Sequence, residues 1–292
     1  MRRFILLIIA LATLLPSLAQ AYDVLILQSQ RDPAYDEVLK GFRFEQKSSL
    51  RMLVLADYAE VDVIRIVRED RPRLILVLGD AALKAARTVQ NTPVVAVMTL
   101  GVEKQSASQP NLTGVSMFAA PESYMDMFRN MKTRRVGVIH NPAKSGWYLK
   151  QARQAAQQAG IELVVREVAS ARDTVVQLAT LAGKVDALWM LPDVTAVTRE
   201  TTELYFRFGQ ENSVPVVSFA GNYIGLGAAA AMDIDRFALG RQADGIAAKI
   251  LQGEAVTGTN ATFPQRTVLR TNPAVLKRLG PSYDALLKSS TP

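Results

Sequence analysis

Apolar runs of four to seven residues, unbroken by polar alternation, recur along the chain. Between them lie segments in which apolar positions return every three or four residues. An unalternated run predicts a strand covered on both faces, and the longer period predicts helices, so the pattern is that of parallel sheets between helical layers. Strands are expected over Asp23–Ser29, Leu50–Ala56, Arg73–Gly79 and Pro93–Leu100, with helices over Ala34–Gln46, Tyr58–Asp70 and Asp80–Gln90. A Gly/Ser/Pro-containing loop at Gly101–Pro110 and an extended piece at Leu112–Phe118 follow, and the rhythm then restarts. Strands are expected at Arg135–His140, Ile161–Val168, Val185–Leu191 and Val214–Phe219. The helices between them are Ser145–Ala159, Arg172–Ala182 and Thr195–Gly209, the first two closed by Gly160 and Gly183. The tail adds a strand at Gly227–Met232, a helix at Ile234–Gln252, a strand at Thr262–Leu269 and helical turns at Ala274–Leu279 and Tyr283–Leu287.

Two such series in succession predict an α/β protein of two Rossmann-like lobes with parallel sheets. The tail is too short for a third domain and has to complete sheets already begun. Lobe 1 is therefore expected to hold residues 22–114 and about 228–256, and lobe 2 residues 115–227 and about 257–288, joined by a multi-crossover hinge. Such a chain would close on something small between its lobes.

The first 21 residues stand outside this scheme. Arg2 and Arg3 precede an apolar run from Phe4 to Leu15, and Ala19–Gln20–Ala21 supplies a small-residue cleavage pattern, so a signal peptide cut after Ala21 is expected. The apolar run is short of the ~20 residues a spanning helix needs. The mature chain is thus expected to be soluble and periplasmic. The chain has no Cys, which excludes disulfides, thiol chemistry and a lipid-bearing N-terminal Cys. The net charge of +7 is spread along the chain rather than clustered among aromatics, which argues against nucleic acid.

Ligands of open parallel sheets sit beyond the carboxyl ends of the strands. Polar residues at those ends are therefore the candidates: Gln28 and Ser29; Gly79, Asp80 and Ala81; Thr99; Asn141, Ser145, Trp147 and Tyr148; Asp193 and Thr195; Phe219 and Asn222. The stretch "LWMLPDVT" around Asp193 shows the logic, an apolar strand halted by Pro-Asp with a carboxylate at its tip. Asp193 is equally readable as the cap of a helix beginning near Thr195. A Gly-x-Gly-x-x-Ala run at Gly225–Ala230 lacks the strand–turn–helix context of a dinucleotide site. Asp233 and Asp235 precede a helix and read as caps before they read as metal ligands. With one His and no Cys, zinc sites and Ser–His or Cys–His catalysis find little support, and neither a cofactor nor a metal is expected.

Several pieces together resemble the tryptophan/tyrosine-type ABC transporter substrate-binding protein family. They are "NLTGVSM", "RRVGVIHNPAKSGW", "QAAQQAGIELVVREVAS", "KVDALWMLPDVT", "VPVVSF" and "GLGAAAAMDIDRFALGRQADGIAAKILQGE", spanning roughly residues 72–256. The resemblance implies the type I periplasmic binding protein fold. It implies a non-catalytic, monomeric receptor that traps an amino acid or related acid and presents it to an inner-membrane ABC permease. It also implies ligand-facing loops at Gly79–Ala82, Thr99, Asn141–Ser145, Asp193–Thr195 and Phe219–Asn222, and it adds Asp233. Within such a site a buried Asp193 would suit an ammonium, and Trp147, Tyr148 or Phe219 an apolar side chain. The chain departs from the family in having Leu100–Gly101 where Asp-Pro is common. The alternatives are a ligand-sensing subunit feeding a membrane histidine kinase and a periplasmic enzyme on the same fold.

Overall fold

The computed structural model describes residues 22–256, 260–280 and 283. The expected leader and nearly all of the expected turn Tyr283–Leu287 lie outside the described residues. The chain divides into two compact units. One holds the chain to Gly114 together with Ala243–Ala261; the other holds Val115–Gln242 and the chain from Thr262.

The first unit runs β1 (Val24–Gln28), α1 (Pro33–Arg43), β2 (Leu50–Val54), α2 (Val63–Asp70), β3 (Leu74–Leu78), α3 (Asp80–Ala86), β4 (Val94–Val97), α4 (Val102–Ser106) and β5 (Leu112–Gly114). Its strands are ordered β2-β1-β3-β4-β5 and all run parallel. The unalternated runs are the reason: every residue of β1, β3 and β4 is buried, so both faces need helical cover. Asp32 accepts from Ala34 N and caps α1, whose first position is Pro33. Order reverses between β1 and β3, which makes their carboxyl ends the switch point of this sheet.

The second unit runs α5 (Pro121–Asn130), β6 (Arg135–His140), α6 (Pro142–Ala159), β7 (Glu162–Glu167), α7 (Ala171–Ala179), β8 (Ala187–Trp189), α8 (Arg199–Glu211), β9 (Val216–Ser218), a 3-10 turn at Gly221–Leu226, β10 (Ala230–Ile234), the start of α9 (Arg236–Leu251), which passes into the first unit at Ala243, then β11 (Thr267–Thr271) and α10 (Pro273–Leu279). Strand order is β11-β10-β9-β8-β6-β7, with β11 antiparallel to β10 and the rest parallel. Here the switch point lies between β6 and β8. Trp189 of β8 is fully buried against Tyr124 and Phe128 of α5 and Tyr148 of α6, with ring centroids 4.6–5.8 Å apart.

Several expectations need correction. The helix expected from Thr195 begins at Arg199, because Thr198 rather than Asp193 is its cap. The strand expected at Gly227–Met232 is Ala230–Ile234, displaced by the 3-10 turn ahead of it. The last strand lies at Thr267–Thr271 rather than Thr262–Leu269. Helix α5 was unexpected, as was α4 inside the expected loop at Gly101–Pro110. Finally, β10 pairs with β9 and β11, so residues 228–242 belong with the second sheet, and the chain returns to the first unit only at Ala243.

Candidate functional site

Each unit collects its candidates at the carboxyl edge of its own sheet. In the first unit, Gln28 of β1 stands level with Leu78 of β3, and Leu78 with Val97 of β4. Ser29 and Gly79 follow directly, and Thr99 comes one residue further on. Ser29 Oγ accepts from Ala82 N at 2.9 Å, tying the end of β1 to the first turn of α3. Gly79 has φ +88°, a conformation that glycine adopts freely. Tyr35, from the first turn of α1, fills the space above it, and a Cβ on Gly79 would overlap the Tyr35 hydroxyl. Burial pushes that phenol above its ordinary pKa; Asp32 and Asp80 add to the rise and a hydrogen bond with Ser29 opposes it.

Asp80 is exposed and accepts from Leu100 N at 2.9 Å, and Ala81 is exposed beside it. Met98, between β4 and Thr99, has φ +56°, a strained position for a non-glycine residue. Two buried polar atoms here have no partner among the described residues: Gln28 Nε2 and Thr99 Oγ1. Orphaned polar atoms are rare in a native interior and commonly mark a place where something else binds. Tyr35 was missed by sequence reasoning. Its signal was its place in the first helical turn after Asp32–Pro33.

In the second unit, Asp193 is the centre of the carboxyl edge. The residue is 1% exposed. Oδ2 accepts from Asn141 N (2.8 Å) and Ser145 Oγ (2.6 Å), and Oδ1 from Thr195 N (2.9 Å) and Ala196 N (3.1 Å). Four donors fill the roughly four acceptor directions that a carboxylate has. Asp193 is therefore a bolt across the switch point, joining the β6–α6 loop to the loop after β8. Asn141 also caps α6 through Ala143 N. Ser145 has one proton and gives it to Asp193, so His140 Nδ1, 3.3 Å from Ser145 Oγ, is the donor of that pair. His140 Nε2 is buried and without a partner among the described residues. Burial holds the imidazole below its ordinary pKa, against the opposing pull of Asp193 and Glu167.

The aromatic candidates separate. Tyr148 is wholly buried and donates to Ala119 O at 2.8 Å, which makes it a packing residue. Trp147 is half-buried, edge-on to Phe118 and stacked at 6.4 Å with Phe263. Phe219 is half-buried and meets Tyr223 edge-on at 5.2 Å, and Asn222 is exposed on the same turn. Asp233, 6% exposed, is paired by Arg270 Nε at 2.8 Å. Arg270 was missed by sequence reasoning because the last strand was expected to stop one residue short of it. Among the described residues no cluster of His, Cys, Asp and Glu could hold a metal ion, and no helix is long and apolar enough to cross a membrane.

A family model described as "ABC transporter substrate binding protein" matches residues 39–291. A "Tyrosine-binding protein" of Clostridioides difficile is 24% identical over 196 residues, an alignment covering 66% of this chain but only 55% of that relative. Three solved structures share the fold. A conserved domain protein of Vibrio cholerae superimposes with a TM-score of 0.65 at 20% identity, covering 93% of this chain and 99% of its own. A ligand-free, open substrate binding protein with adhesive properties from Clostridium difficile gives 0.66 at 20%, covering 88% and 94%. A Streptococcus pneumonia ABC domain in complex with L-Trp gives 0.64 at 17%, covering 91% and 97%. The architecture is that of type I periplasmic binding proteins.

Proposed function

The chain belongs to the ABC transporter substrate binding protein family, and from that premise we propose that it is an extracytoplasmic receptor for a small amino-acid-like ligand. It hands that ligand to an inner-membrane ABC permease and performs no chemistry on it. The ligand is held between the two units, which close on it by bending where the chain passes from one to the other. Residues 1–21 act as a cleavable export signal, and the mature chain works free in the periplasm. Ligand binding favours the closed state by the difference in its affinity for the two states.

The observation that carries this reading is the gathering of polar groups at both switch points, including the orphaned Gln28 Nε2 and Thr99 Oγ1. Neutral donors of this kind suit a carboxylate or amide group, and half-buried Phe219 suits an apolar side chain. The tyrosine- and tryptophan-related proteins above make aromatic amino acids the first ligands to try.

Thermal-shift measurement on the purified mature chain tests the reading. At a hundredfold excess over Kd, a ligand stabilises by about 2.7 kcal/mol, so at least one amino acid or related acid should raise the Tm by several degrees. A flat response across the amino acids and related acids would remove the receptor assignment.

A further inference from the structure

The acid expected to meet a ligand ammonium is fully engaged, while a guanidinium nobody expected stands at the same edge. Arg270 lies on β11, opposite Ala231 of β10. Ala231 in turn is level with Ser218, the last residue of β9. Arg270 is thus delivered to the carboxyl end of β9, beside the Phe219–Asn222 turn. Gly221 fixes the contact: a Cβ there would come within 2.6 Å of Arg270 Cδ, 2.7 Å of Asp233 Oδ2 and 2.8 Å of Arg270 Nε. Only a residue without a side chain lets the turn lie flat on the ion pair. Asn272, just past the end of β11, holds the turn in place by donating from Nδ2 to Ile224 O at 2.9 Å.

We infer that Arg270 is a specificity-determining residue that binds the ligand's carboxylate. This rests on the receptor reading given above. The buried carboxylate of Asp233 takes Nε and pins the guanidinium plane, and the side chain remains 55% exposed. The terminal nitrogens keep the planar two-pronged edge that grips a carboxylate with two hydrogen bonds. Lysine would supply charge without that fork. Because Asp193 has no acceptor direction to spare, it is not available to a ligand ammonium. The class of ligand that follows is a small carboxylic acid, recognised in this unit through its carboxylate far more than through its amine.

Calorimetry with three probes tests this: L-tyrosine, tyramine, which lacks the carboxylate, and 3-(4-hydroxyphenyl)propionate, which lacks the amine. Wild type should bind the propionate within about tenfold of L-tyrosine and tyramine at least a hundredfold more weakly, since a charge-assisted bond is worth about ten- to a hundredfold. R270Q should weaken both acids at least tenfold, and R270K, which keeps the charge beside Asp233, should recover only part of that loss. R270K decides the matter if R270Q does not fold. Unchanged L-tyrosine affinity in R270K, or tyramine bound as tightly as the propionate, overturns the inference and leaves the receptor reading standing. Binding of the propionate but not L-tyrosine supports the inference and refutes the amino-acid reading. Binding of none of the three by wild type counts against both.

Discussion

Asp193 shows how one side chain can be read two ways and do both neighbours' work. Its four donors come from opposite sides of the switch point, so its removal strands backbone N–H groups on both and the Ser145 hydroxyl on one. Asp193→Asn keeps the shape but turns an amino group toward two donors. It is expected to cost about 1.5–3 kcal/mol, seen as a lowered urea midpoint at unchanged slope. His140 makes a second prediction. Burial keeps the folded imidazole below its ordinary value of 6.5, so on acidification the unfolded chain takes up a proton before the folded one does. Stability from this group is complete above about pH 6.5 and is lost as pH falls toward the folded value. The Tm should therefore drop between pH 7 and pH 5, and His140→Gln should flatten that drop; an equal slope in both proteins would rule out the imidazole. The residue chemistry was half legible. Apolar runs ending in Gln28, Thr99 or Asp193 told which residues reach the edge. Whether a carboxylate there is free or engaged depends on Asn141 and Ser145, some fifty residues away, and local pattern cannot carry that.

Elements were legible where burial repeats along the chain and illegible where it does not. Strands β1, β3 and β4 of the first sheet announce themselves because all their residues are buried. Helix α5 was overlooked although Tyr124, Met125 and Phe128 mark its inner face at helical spacing and Pro121 opens its first turn. The shift of β11 has a physical cause. Its pattern is only partly buried, as expected of an antiparallel edge strand, so nothing in it says where pairing begins. The join between β8 and α5 supports a further prediction. Trp189→Ala leaves Tyr124, Phe128 and Tyr148 around a void, and is expected to cost about 3–5 kcal/mol. Trp189→Phe should recover more than half of that in the same denaturation assay.

Across the whole molecule, neither unit is a continuous piece of chain. The first borrows Ala243–Ala261, which it receives only after the second has been threaded, and α9 begins in one unit and ends in the other. Folding of the two is therefore expected to be coupled. Both tryptophans, Trp147 and Trp189, lie in the second unit, so their fluorescence reports that unit while far-UV circular dichroism reports both. The two urea curves should coincide; a dichroism transition preceding the fluorescence change would show the first unit melting alone. The chain passes between units after Gly114, Gln242 and Ala261. A protease that severs a single pass leaves two stitches in the seam, so the nicked protein should elute from a sizing column as one particle and part into fragments only in denaturant.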